Sequence, residues 1–357
     1  MTAATVPPRT QDLSEGALGI ALLHIERGDL TAARRELVRA VAGGVSAGAN
    51  ASLFHGAPAL EFVLGRAGRA GGDVRDAVDR VVDARLAAAR RRQESGALPP
   101  FAEFDLIRGL AGLGALLLVR GSAPSRLRDV LAYLVSLSRP AHADGRELPG
   151  WWSAEGPDGK EMDGGHGNNG VAHGIAGPLA VLSLAHRADV HVPGQLDAIR
   201  VLARWLDSYG GSYWITRAQM DAGELPAPEL ARPSWCYGPP GIARAQQLAA
   251  LALDDPVRRQ AAEDTVVRTL SSPAHLARIT DATLCHGWAG LVTLARAVAA
   301  DSPTPDRFTP LITDLNTRLT DDLPRLSKPG LMEGRSGAQL ALGGTDSTGW
   351  TGALLIT

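Results

Sequence analysis

The feature that most limits what this chain can fold into is a recurring pair of small residues. Seven times along 357 residues, a glycine is followed three positions later by a second small residue and then by an apolar run. The copies begin at Gly16, Gly56, Gly109, Gly174, Gly238, Gly287 and Gly334, spaced by 40, 53, 65, 64, 49 and 47 residues. The second small residue is glycine in every copy but the second, where Ala59 stands. After Gly287, Leu291, Leu294, Ala295 and Val298 recur at the spacing of one helix face. Between the copies lie more polar segments of the same period. Leu30, Ala33, Leu37 and Val41 share one face, with Arg34, Arg35, Glu36 and Arg39 opposite, and Leu311, Leu315 and Leu319 form another stripe. Alternating β-branched residues are scarce, so strands are not expected to dominate.

Apolar helices need burial on all sides, whereas amphipathic ones keep a wet face. Seven such pairs predict an all-α fold, an α/α toroid of two concentric rings. It would form one domain over residues 1–357, with every Gly-x-x-Gly turn at the same end. An open helical solenoid is the structural alternative. Only six polar segments separate seven apolar helices, so the outer ring is expected to be thinner at one point or closed by the chain ends.

Composition narrows the function classes. With 36 Lys and Arg against 38 Asp and Glu, the net charge of −2 gives no footprint for nucleic acid or anionic lipid. Two cysteines cannot make a disulfide scaffold. Residues 1–11 carry one arginine and no apolar run, unlike a signal peptide, and the apolar run at residues 113–119 is too short to span a bilayer. A soluble cytoplasmic protein is expected.

Those two cysteines carry the strongest chemical signal. Cys236 and Cys285 each lie two residues before the first glycine of adjacent repeats, and His286 follows Cys285. Two thiolates and an imidazole make a three-ligand zinc set with the fourth tetrahedral position open, as in catalytic sites. The structural alternative is a pair of small core residues with a capping histidine. His173 precedes Gly174 in the same phase as His286, which suits acid/base work or a helix-capping role. His55 shares that phase, so phase alone does not prove catalysis, and His166 in DGGHGNNG is a rival base. Asp105 and Arg232, each four residues before a Gly109 or Cys236 landmark, are polar candidates that could equally form surface ion pairs. Trp151, Trp152, Trp205, Tyr209, Tyr213, Trp214, Trp235 and Tyr237 would line a peptide groove or pack in the core.

With SWCYGPPG at residues 234–241, LCHGWAG at 284–290, NNGVAHGIAG at 168–177, FDLIRGLAG at 104–112 and LSEGALGIALLHIERG at 13–28, the chain resembles the lanthionine synthetase C-like family over essentially its whole length. The resemblance implies a seven-fold α/α barrel. It also implies lanthipeptide cyclase activity, adding cysteine thiols of a dehydrated ribosomal precursor peptide across dehydroalanine or dehydrobutyrine to form thioether rings. The family's zinc ligands map onto Cys236, Cys285 and His286. Its acid/base histidine maps onto His173, and its other active-site polar residues onto Asp105 and Arg232. In that reading Arg232 faces the enolate oxygen and Asp105 orients His173 or takes the thiol proton. A separate dehydratase and an exporter complex are the partners the family implies, with a position peripheral to a membrane-associated assembly. Two other functions fit the same motifs: addition of glutathione to dehydrated residues in proteins, and a non-catalytic peptide scaffold. Glu103 and Asp105 lie too near each other in sequence to flank a sugar as a glycosidase pair does.

Overall fold

In the computed structural model, which describes residues 10–122, 124–143, 145–156, 159–223 and 231–357, helices dominate and alternate as the pattern demands. The apolar ones are α1 (Ala17–Glu26), α3 (Ala57–Arg66), α5 (Leu110–Arg120), α7 (Ala176–Arg187), α9 (Pro239–Leu253), α11 (Trp288–Ala300) and α13 (Arg335–Gly343). The amphipathic ones are α2 (Leu30–Val41), α4 (Gly72–Glu94), α6 (Pro124–Ser136), α8 (Gln195–Tyr209), α10 (Pro256–Leu270) and α12 (Thr309–Asp322). Each odd-numbered helix packs on the next odd-numbered one, and α13 returns to α1, which closes the inner ring. Each even-numbered helix lies against the odd-numbered helix before it. The burial is unequal in the expected sense: α9 is buried along most of its length, while α2 buries only Ala32, Ala33 and Ala40. Residues 1–9, most of the segment compared above with a signal peptide, lie outside the described residues. Among the described residues no helix is long and apolar enough to cross a membrane.

The glycines are explained by the turns that open the inner helices. The chain enters each turn so that the carbonyl three residues before the first glycine lies under the second one. A Cβ at Gly241 would collide with the Trp235 oxygen, and one at Gly337 with the Leu331 oxygen. The second repeat turns differently: Gly56 takes φ +73°, and Ser52 and His55 exchange both backbone hydrogen bonds. Ala59 is accommodated there, fully buried.

Ring closure is carried by the backbone. The Leu106 amide donates to the Ala172 carbonyl (3.2 Å), Ala172 to Cys236 (3.3 Å), Cys236 to Cys285 (3.3 Å), Cys285 to Met332 (3.0 Å), and Met332 to Ser14 (2.9 Å). Leu13 then donates to Phe54 (2.8 Å). The accepting carbonyls all lie two residues before a first glycine, so neighbouring turns are stitched edge to edge into a belt. Between the second and third repeats side chains make the link. Arg120 of α5 meets Glu61 of α3 at 2.6 Å and also Asp79 of α4, and Arg126 of α6 meets Asp79 at 2.8 Å. After the seventh inner helix, residues 344–357 turn inward through a short 3-10 helix, Trp350–Leu354, that packs on α5. Arg244 of α9 donates to the Ile356 carbonyl (2.8 Å) and the Trp235 indole to that of Leu354 (2.9 Å), so the tail fills the centre of the ring.

Short strands occupy the long connections around α6, α7 and α8. β1 (Ala141–Ala143) pairs antiparallel with β2 (Arg146–Leu148), and β4 (Glu161–Asn168) lies between β3 (Ser153–Glu155) and β5 (Trp214–Thr216). The small sheet anchors the chain just before His173. Asn169 donates to the Tyr209 and Ser212 carbonyls and accepts from the Trp205 indole, while the Asn168 amide donates to the Tyr237 hydroxyl (3.2 Å).

Candidate metal centre and acid/base pair

The belt fixes the phase of the residues just before the first glycines. Glu15, His55, Arg108, His173, Tyr237, His286 and Glu333 occupy that position in successive turns. Chemistry-bearing side chains are thus delivered to one end of the ring by different, non-adjacent stretches of sequence.

Cys236, Cys285 and His286 come together there. Their ligand atoms lie within 4.8 Å of one another, and among the described residues they are the one such cluster able to hold a metal. Cys236 is buried and the other two are partly exposed. Ser234 Oγ accepts the Gly238 amide (2.8 Å) and stands 3.7 Å from the Cys236 sulfur. A hydrogen bond from the Cys285 thiol, with help from His286 and Ser234, holds Cys236 well below the usual thiol range despite its burial. Cys285, beside that thiolate, is pushed upward. His286 is raised to about 9 by Asp281 and by Cys236, against burial. Asp281 Oδ2 lies 3.4 Å from His286 Nε2, and Oδ1 accepts the Thr283 amide (2.9 Å). Burial raises the Asp281 carboxyl, but the bonds from His286 and Thr283 outweigh it and leave it lowered.

The donor set fits zinc. Ligand atoms on a tetrahedral zinc stand about 3.3–3.8 Å apart, from bond lengths of about 2.0–2.3 Å. Two soft sulfurs, one already favoured as thiolate, and an imidazole gripped by a carboxylate match that ion. Carboxylates in this place fix the ring of a metal-binding histidine, so Asp281→Asn is expected to weaken zinc affinity about 10–100-fold in chelator competition.

The second group is the Asp105–His173 pair. Asp105 is completely buried where it opens α5: Oδ1 accepts the amides of Arg108 (2.6 Å) and Gly109 (2.9 Å). Oδ2 meets His173 Nδ1 at 2.7 Å. Asp105 is therefore a buried carboxylate rather than an exposed one, although the half-exposed Arg108 also stands 3.5 Å from Oδ2. The carboxylate keeps the proton on Nδ1, and with the imidazole 34% exposed, Nε2 is left to exchange a proton with a ligand. Tyr237 joins the two groups. It follows Cys236, and its ring lies 6.4 Å from that of His173. Burial, together with the charges of Cys236 and Asp105, pushes its phenol up to about 12, so it remains a hydrogen-bond donor.

Arg232 is partly buried and its charge is felt by Cys285 and His286, which places it on the metal side. His166 lies on strand β4 rather than in a loop. It is fully buried, its ring 4.8 Å from that of Phe101, and burial lowers its pKa. That environment suits a packed neutral histidine. Of the aromatic set, Trp152 and Trp235 are core residues, whereas Tyr213 contacts Tyr237 beside His173. Sequence reasoning did not single out Asp281, Tyr237 as a site residue, or Arg108. The phase just before the glycine marks the last two; Asp281 has no comparable signal.

A profile of the family described as lanthionine synthetase C-like protein matches residues 7–353. The chain belongs to that family. Among curated relatives, the nisin biosynthesis protein NisC of Lactococcus lactis subsp. lactis is 25% identical over 209 residues, 53% of this chain and 48% of that protein. The aligned stretch therefore spans about half the length of that relative. Among solved structures, a nisin cyclase superposes with a TM-score of 0.79 at 20% identity, covering 98% of this chain and 92% of the other. That likeness establishes the fold, an α/α toroid, in agreement with the glycine periodicity. Within the family, the Cys236, Cys285 and His286 cluster resembles its zinc site.

Proposed function

We propose that this chain is a zinc-dependent lanthipeptide cyclase. It would add cysteine thiols of a dehydrated ribosomal precursor peptide across dehydroalanine or dehydrobutyrine, forming lanthionine and methyllanthionine rings. One observation carries the reading: in a member of this family, a Cys-Cys-His cluster and a carboxylate-bound histidine share one end of the ring, with Tyr237 between them.

A zinc ion held by Cys236, Cys285 and His286 would supply the Lewis acidity that keeps a substrate thiol as thiolate near neutral pH. The chain's own residues supply the rest. Arg232 adds positive charge at the sulfur end of the site. His173, its Nδ1 proton fixed by Asp105, offers Nε2 to take the proton released by the thiol and to return it. As sulfur bonds to the β-carbon, the double-bond electrons move onto the adjoining carbonyl, and the proton from His173 completes the α-carbon. No atom is gained or lost. Tyr237 donates a hydrogen bond without ionising. A dehydratase supplies the acceptor residues, an exporter takes the product, and the protein works in the cytoplasm beside that assembly.

Ring closure leaves mass unchanged, so the test is thiol alkylation. A dehydrated peptide containing cysteine is expected to lose alkylatable thiols on incubation with the zinc-loaded protein. Persistence of those thiols, whether or not the peptide gains the mass of glutathione at its dehydrated residues, overturns the cyclase reading.

A further inference from the structure

Two arginines lie beside this site. Arg232 is four residues before Cys236 in the chain. Arg108 belongs to the Asp105 and His173 side. It precedes Gly109 as His173 precedes Gly174, so it occupies the neighbouring turn of the belt. Its Nε lies 3.5 Å from Asp105 Oδ2, the same oxygen that binds His173, and its side chain is 54% exposed. The guanidinium is therefore tethered at one edge beside the proton-transferring histidine, and among the described residues its other donors meet no acceptor.

The order of atoms in the reaction decides what such a cation meets. The nucleophilic sulfur, the β-carbon, the α-carbon and the carbonyl carbon with its oxygen follow one another in the substrate. The metal cluster fixes the sulfur end, and His173 must reach the α-carbon. The carbonyl carbon is one bond beyond the α-carbon, on the side away from sulfur, and carries the oxygen. We propose that Arg108 is a catalytic residue that hydrogen-bonds this oxygen and stabilises the negative charge arriving on it. The assignment rests on the cyclase reading. It moves to Arg108 the enolate-oxygen role expected above for Arg232. The step balances: one S–C bond forms, one C=C π bond is lost, the charge passes to the carbonyl oxygen, and the proton from His173 to the α-carbon discharges it.

Arg108→Ala leaves intact the backbone amide that caps Asp105, since that bond uses no side-chain atom. With zinc content equal to wild type, ring closure followed by thiol alkylation is expected to show kcat reduced about 10–100-fold and KM within about threefold. Arg108→Lys should restore part of the loss, and added guanidinium ion should partly rescue Arg108→Ala. A wild-type kcat in Arg108→Ala overturns the assignment while leaving the cyclase reading in place. So does a loss confined to a displaced pH–rate profile with an unchanged plateau, because Arg108 would then act only through Asp105 and His173. Should Arg108→Ala prove unfolded by circular dichroism, Arg108→Gln is judged by the same criteria. Failure of the wild type itself to close rings overturns both.

Discussion

Cys285→Ala, purified beside the wild type, is expected to carry almost no zinc where the wild type carries about one ion per chain. Cys285 is one of only three protein donors, and a single thiolate with one imidazole leaves two of the four tetrahedral positions without a protein ligand. The fold should survive. The belt bonds at this point run from the Cys236 amide to the Cys285 carbonyl and from the Cys285 amide to Met332, and an alanine keeps both. The core lies in helix packing and not in the metal cluster, unlike small zinc domains that unfold without their ion. Metal analysis and circular dichroism on Cys285→Ala and Cys236→Ala check this together. Zinc at wild-type stoichiometry in both folded variants would exclude the cluster as the metal site.

The inner ring was legible because steric exclusion leaves a mark in sequence. Where the Trp235 or Leu331 carbonyl passes under a helix, only glycine fits, and Gly241 and Gly337 record that. The closure was not legible, because the belt is made of backbone amides and carbonyls. The bond from Met332 to Ser14 is indifferent to side-chain identity. The inward turn of the tail is written in the buried Arg244, whose partner is again a carbonyl. The strands leave little mark for a different reason: β4 is EMDGGHGN, a composition poor in the β-branched and aromatic residues that mark strands. At the site, repeat phase placed Cys236, Cys285, His286 and His173 at one end of the ring. Phase cannot say which carboxylate meets which histidine. Asp105 and Asp281 are both turn-opening aspartates whose Oδ1 binds nearby amides, and only the three-dimensional path of the chain turns each Oδ2 toward a histidine from another turn or from its own.

His173→Ala is expected to lower kcat for ring closure about 10²–10⁴-fold, the range for loss of a positioned general acid, with zinc content unchanged. Asp105→Asn should come close to it, although the substitution is nearly isosteric. The asparagine oxygen can still accept the amides of Arg108 and Gly109, which preserves the turn that opens α5. Its NH₂ group then faces His173 Nδ1, where the carboxylate oxygen had been. A donor there favours the tautomer with the proton on Nε2, so the ring nitrogen facing the ligand can no longer accept the thiol proton. Asp105→Ala would add a stability loss of about 1 kcal/mol from the missing cap, which Asp105→Asn avoids. The two residues act as one unit if this geometry carries the chemistry. The double variant His173→Ala with Asp105→Asn should then be no slower than His173→Ala alone. Multiplied losses in the double variant would show that Asp105 works on the substrate by a separate route.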